Sequence, residues 1–410
     1  MLLPVYITKP SYAPSVVDRP RLYDRLNRWQ EARVVVIQAP AGYGKSSLVS
    51  RWLDISGLGA RTAWLSLDET HCDPRELLHG LASALNTLLP SLLPSMQPVL
   101  DALQSDTDRG IRKLLATVWE GLAPSDGVSV PQSLLILDDV HLIASYEAGS
   151  LLTPLLEKGP PGLHFILLTR LAASLPLTRL YASGQVMELT ASDLCFTAEE
   201  VQQFLLAHRI SPPPEELAQI VYRTEGWVVA LQLALHSQRR PGSLGDYLGN
   251  LRGDRRWLAS YLTQEVLAYQ SPRVRDFLLR TSILDSFSVP LGAAVTGIDD
   301  AYRILAELQH SELFLIPMDA DGVWFRYHHL FRELLQHRLA EVEGKAAIDA
   351  LHRRAAEWLA KHEQVLPAIR HLLDADDEDE AAALGREPHT PRHPAQPDPS
   401  PADVRRCPRK

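Results

Sequence analysis

The first half of the chain alternates short apolar runs with longer stretches of helical period. Val34-Val35-Val36-Ile37, Thr62 to Leu67, Leu134 to Leu137, His164 to Leu168 and Val186 to Leu189 are four to six residues long with little polar alternation. Runs of this kind predict parallel strands buried on both faces. A helix through Trp52 follows the first run, and helical periodicity marks Pro74–Leu88 and Ile111–Leu122. Strands separated by helices imply a doubly wound α/β domain ending near residue 190.

Beyond that point the period becomes helical to about residue 313. Thr197-Ala198-Glu199-Glu200 reads as a capping box, and Ser271-Pro272 as an N-cap with a first-turn proline. Phe314–Pro317 and Val323–Tyr327 flank Asp319-Ala320-Asp321-Gly322, the pattern of a hairpin, and a helix is expected from near Leu330. Ile348–His362 and Leu366–Leu373 are amphipathic and joined by a short polar turn. Before the first strand, the segment 1–30 is punctuated by Pro and Arg and turns helical at Leu22–Trp29. After Gly385 seven prolines and almost no large apolar residue predict a disordered tail over 385–410.

Composition narrows the class. The chain has 410 residues, enough for two or three domains, with 46% hydrophobic and 22% charged positions. A formal charge of −9 disfavours constitutive binding to a phosphate backbone. Cys72, Cys195 and Cys407 share no metal-ligand spacing and suit a reducing compartment. With no secretory signal and no apolar window long enough to span a bilayer, a cytoplasmic protein without a membrane partner is expected.

The candidate chemistry sits where the strands end. The first run continues into Ala39-Pro40-Ala41-Gly42-Tyr43-Gly44-Lys45-Ser46-Ser47 and then a helix. In such a strand–loop–helix, glycine-bent backbone N–H groups wrap phosphate oxygens, and the helix points its positive end at them. Lys45 would reach the outer phosphates, and Ser46 would give its hydroxyl to Mg²⁺. The full pattern asks for glycine where Ala39 stands, but Gly42 and Gly44 occupy the tightest bends. A chance glycine turn is the alternative; the strand before it and the helix after it favour a phosphate loop, with ATP as ligand.

Leu134–Leu137 runs into Asp138-Asp139. Asp138 would hold Mg²⁺ through water, and Asp139 would orient or deprotonate an attacking water, unless the pair merely caps the next turn. Thr169-Arg170 closes the fourth run, so Arg170 either senses a γ-phosphate or forms a surface salt bridge. His328-His329 is a poor metal motif, because adjacent histidines rarely share one ion, and a packed or hydrogen-bonded role is expected.

Several segments occur in a telling order. They are Arg19-Pro20-Arg21-Leu22, the loop from Ala39 to Ser47, Ala63 to Asp68, Leu137-Asp138-Asp139-Val140-His141-Leu142, Leu180 to Glu188, Asp193 to Thr197, Arg223-Thr224-Glu225-Gly226-Trp227, and Tyr327-His328-His329-Leu330-Phe331. Over residues 5–380 the set resembles the MalT-like, large ATP-binding regulators of the LuxR family, which are STAND-class signalling ATPases. The resemblance implies an α/β P-loop NTPase domain with a parallel sheet at 31–192, preceded by an adenine-proximal segment at 1–30. It further implies an all-helical domain at 193–250, a winged-helix domain at 251–342, and the start of an α-solenoid at 343–384.

Site roles follow from the same resemblance. Arg19 and Pro20 would lie near the adenine, and Lys45 and Ser46 would be the phosphate- and magnesium-binding pair. Asp138 and Asp139 would be the acidic pair, and Arg170 the sensor arginine. Gly226-Trp227 would face the nucleotide, and His328 would touch the β-phosphate of ADP. The expected function is an ATP/ADP-gated signalling switch that self-associates and hydrolyses ATP slowly. Relatives of this kind continue into a repeat sensor and a DNA-binding helix-turn-helix. Here only one sensor hairpin is expected, over Ile348–Leu373, so DNA would be contacted only through a domain absent from this chain, as in a truncated or frameshifted product. Two rival readings are a small-molecule kinase on the same loop and a remnant acting as an interaction module. The kinase would need an acceptor pocket and a base, whereas Phe196–Arg338 reads as helical and interaction-like.

Overall fold

The computed structural model describes residues 4–13, 15–102, 107–122, 132–143, 147–170, 177–237, 256–268, 270–310, 314–319 and 321–386. The five apolar runs form strands β1 (Val34–Gln38), β2 (Thr62–Ser66), β3 (Ser133–Asp138), β4 (Leu163–Thr169) and β5 (Val186–Leu189). They make one sheet in the order β2-β3-β4-β1-β5, and every pairing is parallel. All residues of β3 and β4 are buried, which is why those runs lack polar alternation.

Side chains two apart go to the same face, so each strand feeds two cores. Val35, Ile37, Ile136, Ile166 and Leu168 pack with the helix Lys45–Ser56, which buries Leu48, Val49, Trp52 and Leu53. Val34, Val36, Leu135, Leu137, Phe165 and Leu167 pack with the helices Pro74–Leu85 and Thr107–Leu122. The helix Leu92–Ala102 was not legible in the sequence, because Pro98 lies inside it.

The segment before β1 forms the helix Pro20–Leu26 and then a single 3₁₀ turn at Trp29–Glu31, rather than one helix through Trp29. After β5 come the helices Ala198–Ala207, Pro214–Thr224, Val228–Ser237, Arg256–Leu262 and Pro272–Thr281. The predicted capping box is present: the Glu200 N–H donates to Thr197 Oγ1 at 3.2 Å, and the Thr197 N–H to Glu200 Oε2 at 3.1 Å. Ser271 caps the last of these helices through the Val274 N–H at 3.3 Å.

Strands β6 (Leu315–Pro317) and β7 (Phe325–Tyr327) pair antiparallel as the predicted hairpin, followed by the helix His329–Val342. Phe277, Phe287, Tyr327 and Phe331 fill the core beneath it, and Thr281 Oγ1 satisfies the buried Tyr327 hydroxyl at 2.7 Å. The helices Lys345–Lys361 and Val365–Asp374 form the expected hairpin. A further helix, Glu378–Arg386, carries three acidic residues in its first turn. It runs through Gly385, so the predicted break at 385 comes too early; the rest of that stretch, with Cys407, lies outside the described residues. Among the described residues no helix is long and apolar enough to cross a membrane.

Within the helical segment two stretches of backbone meet at Gly226, where φ is +74° and a Cβ would stand 2.3 Å from the Phe196 carbonyl oxygen. The Phe196 N–H donates to Gly226 O at 2.9 Å, so the two backbones cannot part cheaply. Gly226→Ala is expected to destabilise the chain by more than about 1 kcal/mol, seen as a lower urea midpoint. An unchanged midpoint would show that this approach is not holding the segment.

Candidate functional site: a phosphate loop at the carboxyl edge of the sheet

β1 ends at Gln38, and the Ala39 N–H continues its ladder to the Thr169 carbonyl on β4 at 3.2 Å. The chain then bends through Gly42 (φ +81°) and Gly44 (φ +76°), both left-handed, and enters the helix at Lys45. Lys45 is buried, and its ammonium donates to the carbonyls of Ala39 at 2.6 Å and Pro40 at 3.0 Å. It therefore ties the start of the curl to its end. The Lys45–Ser56 helix directs its free N–H groups at this bend, the arrangement that suits an anion.

Because β4 pairs with both β1 and β3, the end of β3 arrives beside the loop. Asp138 is buried there, accepting a hydrogen bond from the Ser46 hydroxyl and another from the Asp139 N–H at 3.0 Å. Burial, and then the charge of Asp139, push the Asp138 carboxyl up to about 6, against the opposing pull of Ser46 and Lys45. Asp139 adopts φ +58°, and its carboxylate makes no capping bond to the turn Val140–Leu142. Its partly exposed side chain is thus available for chemistry rather than spent on the turn. The donor set fits Mg²⁺: Ser46 and Asp138 already touch, and the cost of ionising Asp138 in this site is one a divalent cation would offset.

One residue without a predicted role belongs to this cluster. His141 lies within the quoted motif after β3, with its ring Nδ1 buried and unpartnered and 3.8 Å from Asp139 Oδ1. Burial first, then the charges of Arg170 and Lys45, push it down to about 3, so it is a neutral ring at physiological pH. Its position three residues past a buried aspartate on a strand end was the available signal. Arg170, directly after β4, faces the same ring, and so stands with Lys45 at one edge of the sheet.

On the other side of the loop a cavity of about 210 Å³ is lined by Val17, Arg19, Tyr43, Ser47, Phe196 and Val229, among others. Arg19 is buried; its guanidinium sits 4.8 Å from the Phe196 ring centroid and donates to Glu200 Oε2 at 3.0 Å and to Cys195 O at 3.0 Å. Arg21 grips the same carboxylate at 2.9 and 3.0 Å. Burial alone would raise the Glu200 carboxyl, but Arg21 and Arg19 hold it below its ordinary range. Arg19 is therefore fixed by a buried ion pair at the wall of the cavity. Pro20 is exposed at the first helical position, outside that lining.

The helical segment closes directly on the loop. A Cβ at Gly42 would fall 2.4 Å from Val229 Cγ2 and 2.9 Å from the Tyr261 hydroxyl. Tyr43 packs near Trp227 and Phe314, with ring centroids 6.4 and 6.1 Å away. His328 stands behind this aromatic cluster, 5.9 Å from Trp227. Its Nε2 bonds to Thr224 O at 2.9 Å, and its Nδ1 accepts from the Leu330 N–H at 3.3 Å. Both ring nitrogens are thus engaged with the protein, as the packed reading of this histidine expects. Glu225 joins the helical segment to the hairpin by two bonds to Arg326, each 2.9 Å, and accepts the His329 N–H at 2.9 Å. That ion pair was hidden in the sequence, since its partners lie 101 residues apart.

The raised Asp138 has a consequence for stability. A carboxyl whose folded value is raised binds its proton more tightly in the native state, so stability falls as pH climbs from about 4 through about 6. Asp138→Asn is expected to be more stable than the parent at pH 7, by on the order of 2 kcal/mol, in the absence of nucleotide and metal. The difference should fade below about pH 4. Urea unfolding across this range checks it, and equal stabilities at pH 7 would contradict the burial argument.

Residues 263–347 match the family model of the MalT winged helix domain. The chain is 32% identical over 385 residues to the HTH-type transcriptional regulator MalT of Yersinia enterocolitica, covering 92% of this chain and 41% of that protein. It is 31% identical over 386 residues to the serine/threonine-protein kinase PknK of Mycobacterium tuberculosis, covering 92% of this chain and 34% of that protein. The chain thus spans well under half the length of these relatives. Among solved structures, a Walker-type ATPase of Pyrococcus abyssi superposes with a TM-score of 0.55 at 16% identity, covering 78% of this chain and 96% of that one. That likeness concerns the fold alone. A P-loop core of this topology, a winged helix of the MalT type and similarity to MalT along nearly the whole chain make this a MalT-like P-loop protein.

Proposed function

We propose that this chain is the nucleotide-gated switch module of a MalT-type transcriptional regulator, binding ATP or ADP with Mg²⁺. The observation that carries the proposal is the contact of Ser46 with Asp138 beside the Lys45-closed loop. Lys45 would leave the Ala39 and Pro40 carbonyls for phosphate oxygens. Ser46 and Asp138 would hold the metal, which supplies charge neutralisation between the outer phosphates when bound. The cavity behind Arg19 and Phe196 would take the base. Arg170 and His141 would meet the γ-phosphate, and Asp139 would orient water for a slow hydrolysis that resets the switch.

Val229 and Tyr261 over Gly42, with Trp227 and Phe314 against Tyr43, couple the loop to the helical and winged-helix segments. We read ADP as favouring this closed packing, with His328 exchanging Thr224 O for a β-phosphate oxygen. ATP would favour an opened form able to self-associate. A bias of about 3 kcal/mol between the two nucleotides would shift the equilibrium more than 100-fold. The aligned segment is shared by a relative named as a regulator and one named as a kinase, which supports reading it as a common switch rather than as an output domain. Contact with DNA would belong to a further domain.

Lys45→Ala is expected to abolish measurable binding of labelled ATP, with folding checked by circular dichroism; unchanged affinity would refute the phosphate loop as the site. His141→Ala is expected to weaken ATP by about 10-fold or more while leaving ADP within about 2-fold, the loss of one hydrogen bond to a charged group. Equal losses for both nucleotides, measured by calorimetry, would remove His141 from the γ-phosphate.

A further inference from the structure

Far along the chain from the phosphate loop, two imidazoles meet inside the C-terminal helical hairpin. His352 comes from the helix Lys345–Lys361 and His371 from Val365–Asp374. Their Nδ1 atoms are 2.9 Å apart, and both rings are largely buried. Asp374 follows His371 by three residues, so it shares that helix face and brings Oδ2 to 3.8 Å from His352 Nδ1. One ligand atom from each of the three residues lies within 4.8 Å of the other two.

We propose that His352, His371 and Asp374 bind a divalent late-transition-metal ion, with Zn²⁺ the best match to two imidazoles and one carboxylate. Tetrahedral zinc with bonds of about 2.0–2.1 Å separates its ligand atoms by roughly 3.3 Å. The two Nδ1 atoms would part by about 0.4 Å, and the exposed Asp374 carboxylate would swing inward by a rotamer change. No backbone movement is needed. The fourth position faces solvent on the side of Asp374, whose side chain is 63% exposed, and would be filled by water.

The place in the fold gives the ion something to control. The Lys345–Lys361 helix also packs on the winged-helix segment through Val289–Thr296. Asp285 and Arg332, themselves ion-paired, lie near His371. A metal bridging His352 to His371 would fasten the first repeat hairpin at the joint where it leaves the winged helix. The competing arrangement is a hydrogen bond between two neutral tautomers, with no metal affinity.

The test uses the full chain, freed of metal with a chelator and titrated with Zn²⁺ and, for its visible absorption, Co²⁺. About one ion per chain should bind, with the absorption of a four-coordinate nitrogen–oxygen site, and Zn²⁺ should raise the melting temperature. Asp374→Asn, on an exposed side chain that the fold does not need, should weaken binding about 10-fold, and His352→Gln at least as much. Nucleotide affinity unchanged in both variants would show that they are folded. No stoichiometric ion in the parent would overturn the proposal. So would binding that both variants retain, since the ion would then sit among the other histidines of the chain.

Discussion

The seat of β4 between β1 and β3 is the constraint on which the rest of the molecule depends. Parallel pairing with both neighbours makes three strands end at one edge. The loop after β1, the aspartates at the end of β3 and the arginine after β4 therefore meet without any contact specific to a ligand. The burial of β3 and β4 on both faces keeps this register from slipping, because a shift of one residue would exchange the two cores. Charge then does what hydrophobic packing cannot. Lys45 donates to its own loop's carbonyls, and Asp138 sits in a place where ionisation is resisted. Both groups are held in states that a polyanion and a divalent cation would relieve.

A second layer of contacts joins that edge to other parts of the chain. Gly42 has no room for a side chain because Val229 and Tyr261 occupy it, so a displaced loop must displace the helical segment. Trp227 lies against both Tyr43 and Phe314, and Glu225 beside it is clamped by Arg326 from β7. These are discrete packings, buried aromatics and one bidentate ion pair, rather than soft surfaces. Such contacts hold or break, which is the property a two-state device requires. The glycine and the two aromatic neighbours thus connect the loop to the winged-helix segment through side chains in direct contact.

Much of this was legible in the residues. β-branched and leucine runs without alternation marked the strands, and β5 falls where Val186–Leu189 places it. Thr197 with Glu200 and Ser271 with Pro272 named their helix starts, because capping is local chemistry written in adjacent positions. The placement of Lys45 and Ser46 at a helix start and of Asp138 at a strand end was readable for the same reason: loop and strand-end motifs are short. What escaped was non-local or contradictory at the local level. Pro98 masked a helix, and Glu225 with Arg326 carries no signal in either segment alone. The orphaned ring of His141 depends on burial, which no motif displays. His328 shows the limit from the other side. Its neighbours in sequence suggest several roles, and only the fold gives it Thr224 and Leu330 as partners.

In the proposed switch, main-chain amides at Gly42–Ser47, with Lys45, grip a polyphosphate at the sheet edge. Backbone amide hydrogen exchange of the free chain against the chain saturated with ADP and Mg²⁺ addresses it most directly. Slowed exchange is expected to concentrate in the loop, with weaker slowing at Phe196 and Gly226–Val229, which pack around it. Slowing elsewhere with the loop amides unchanged would contradict it.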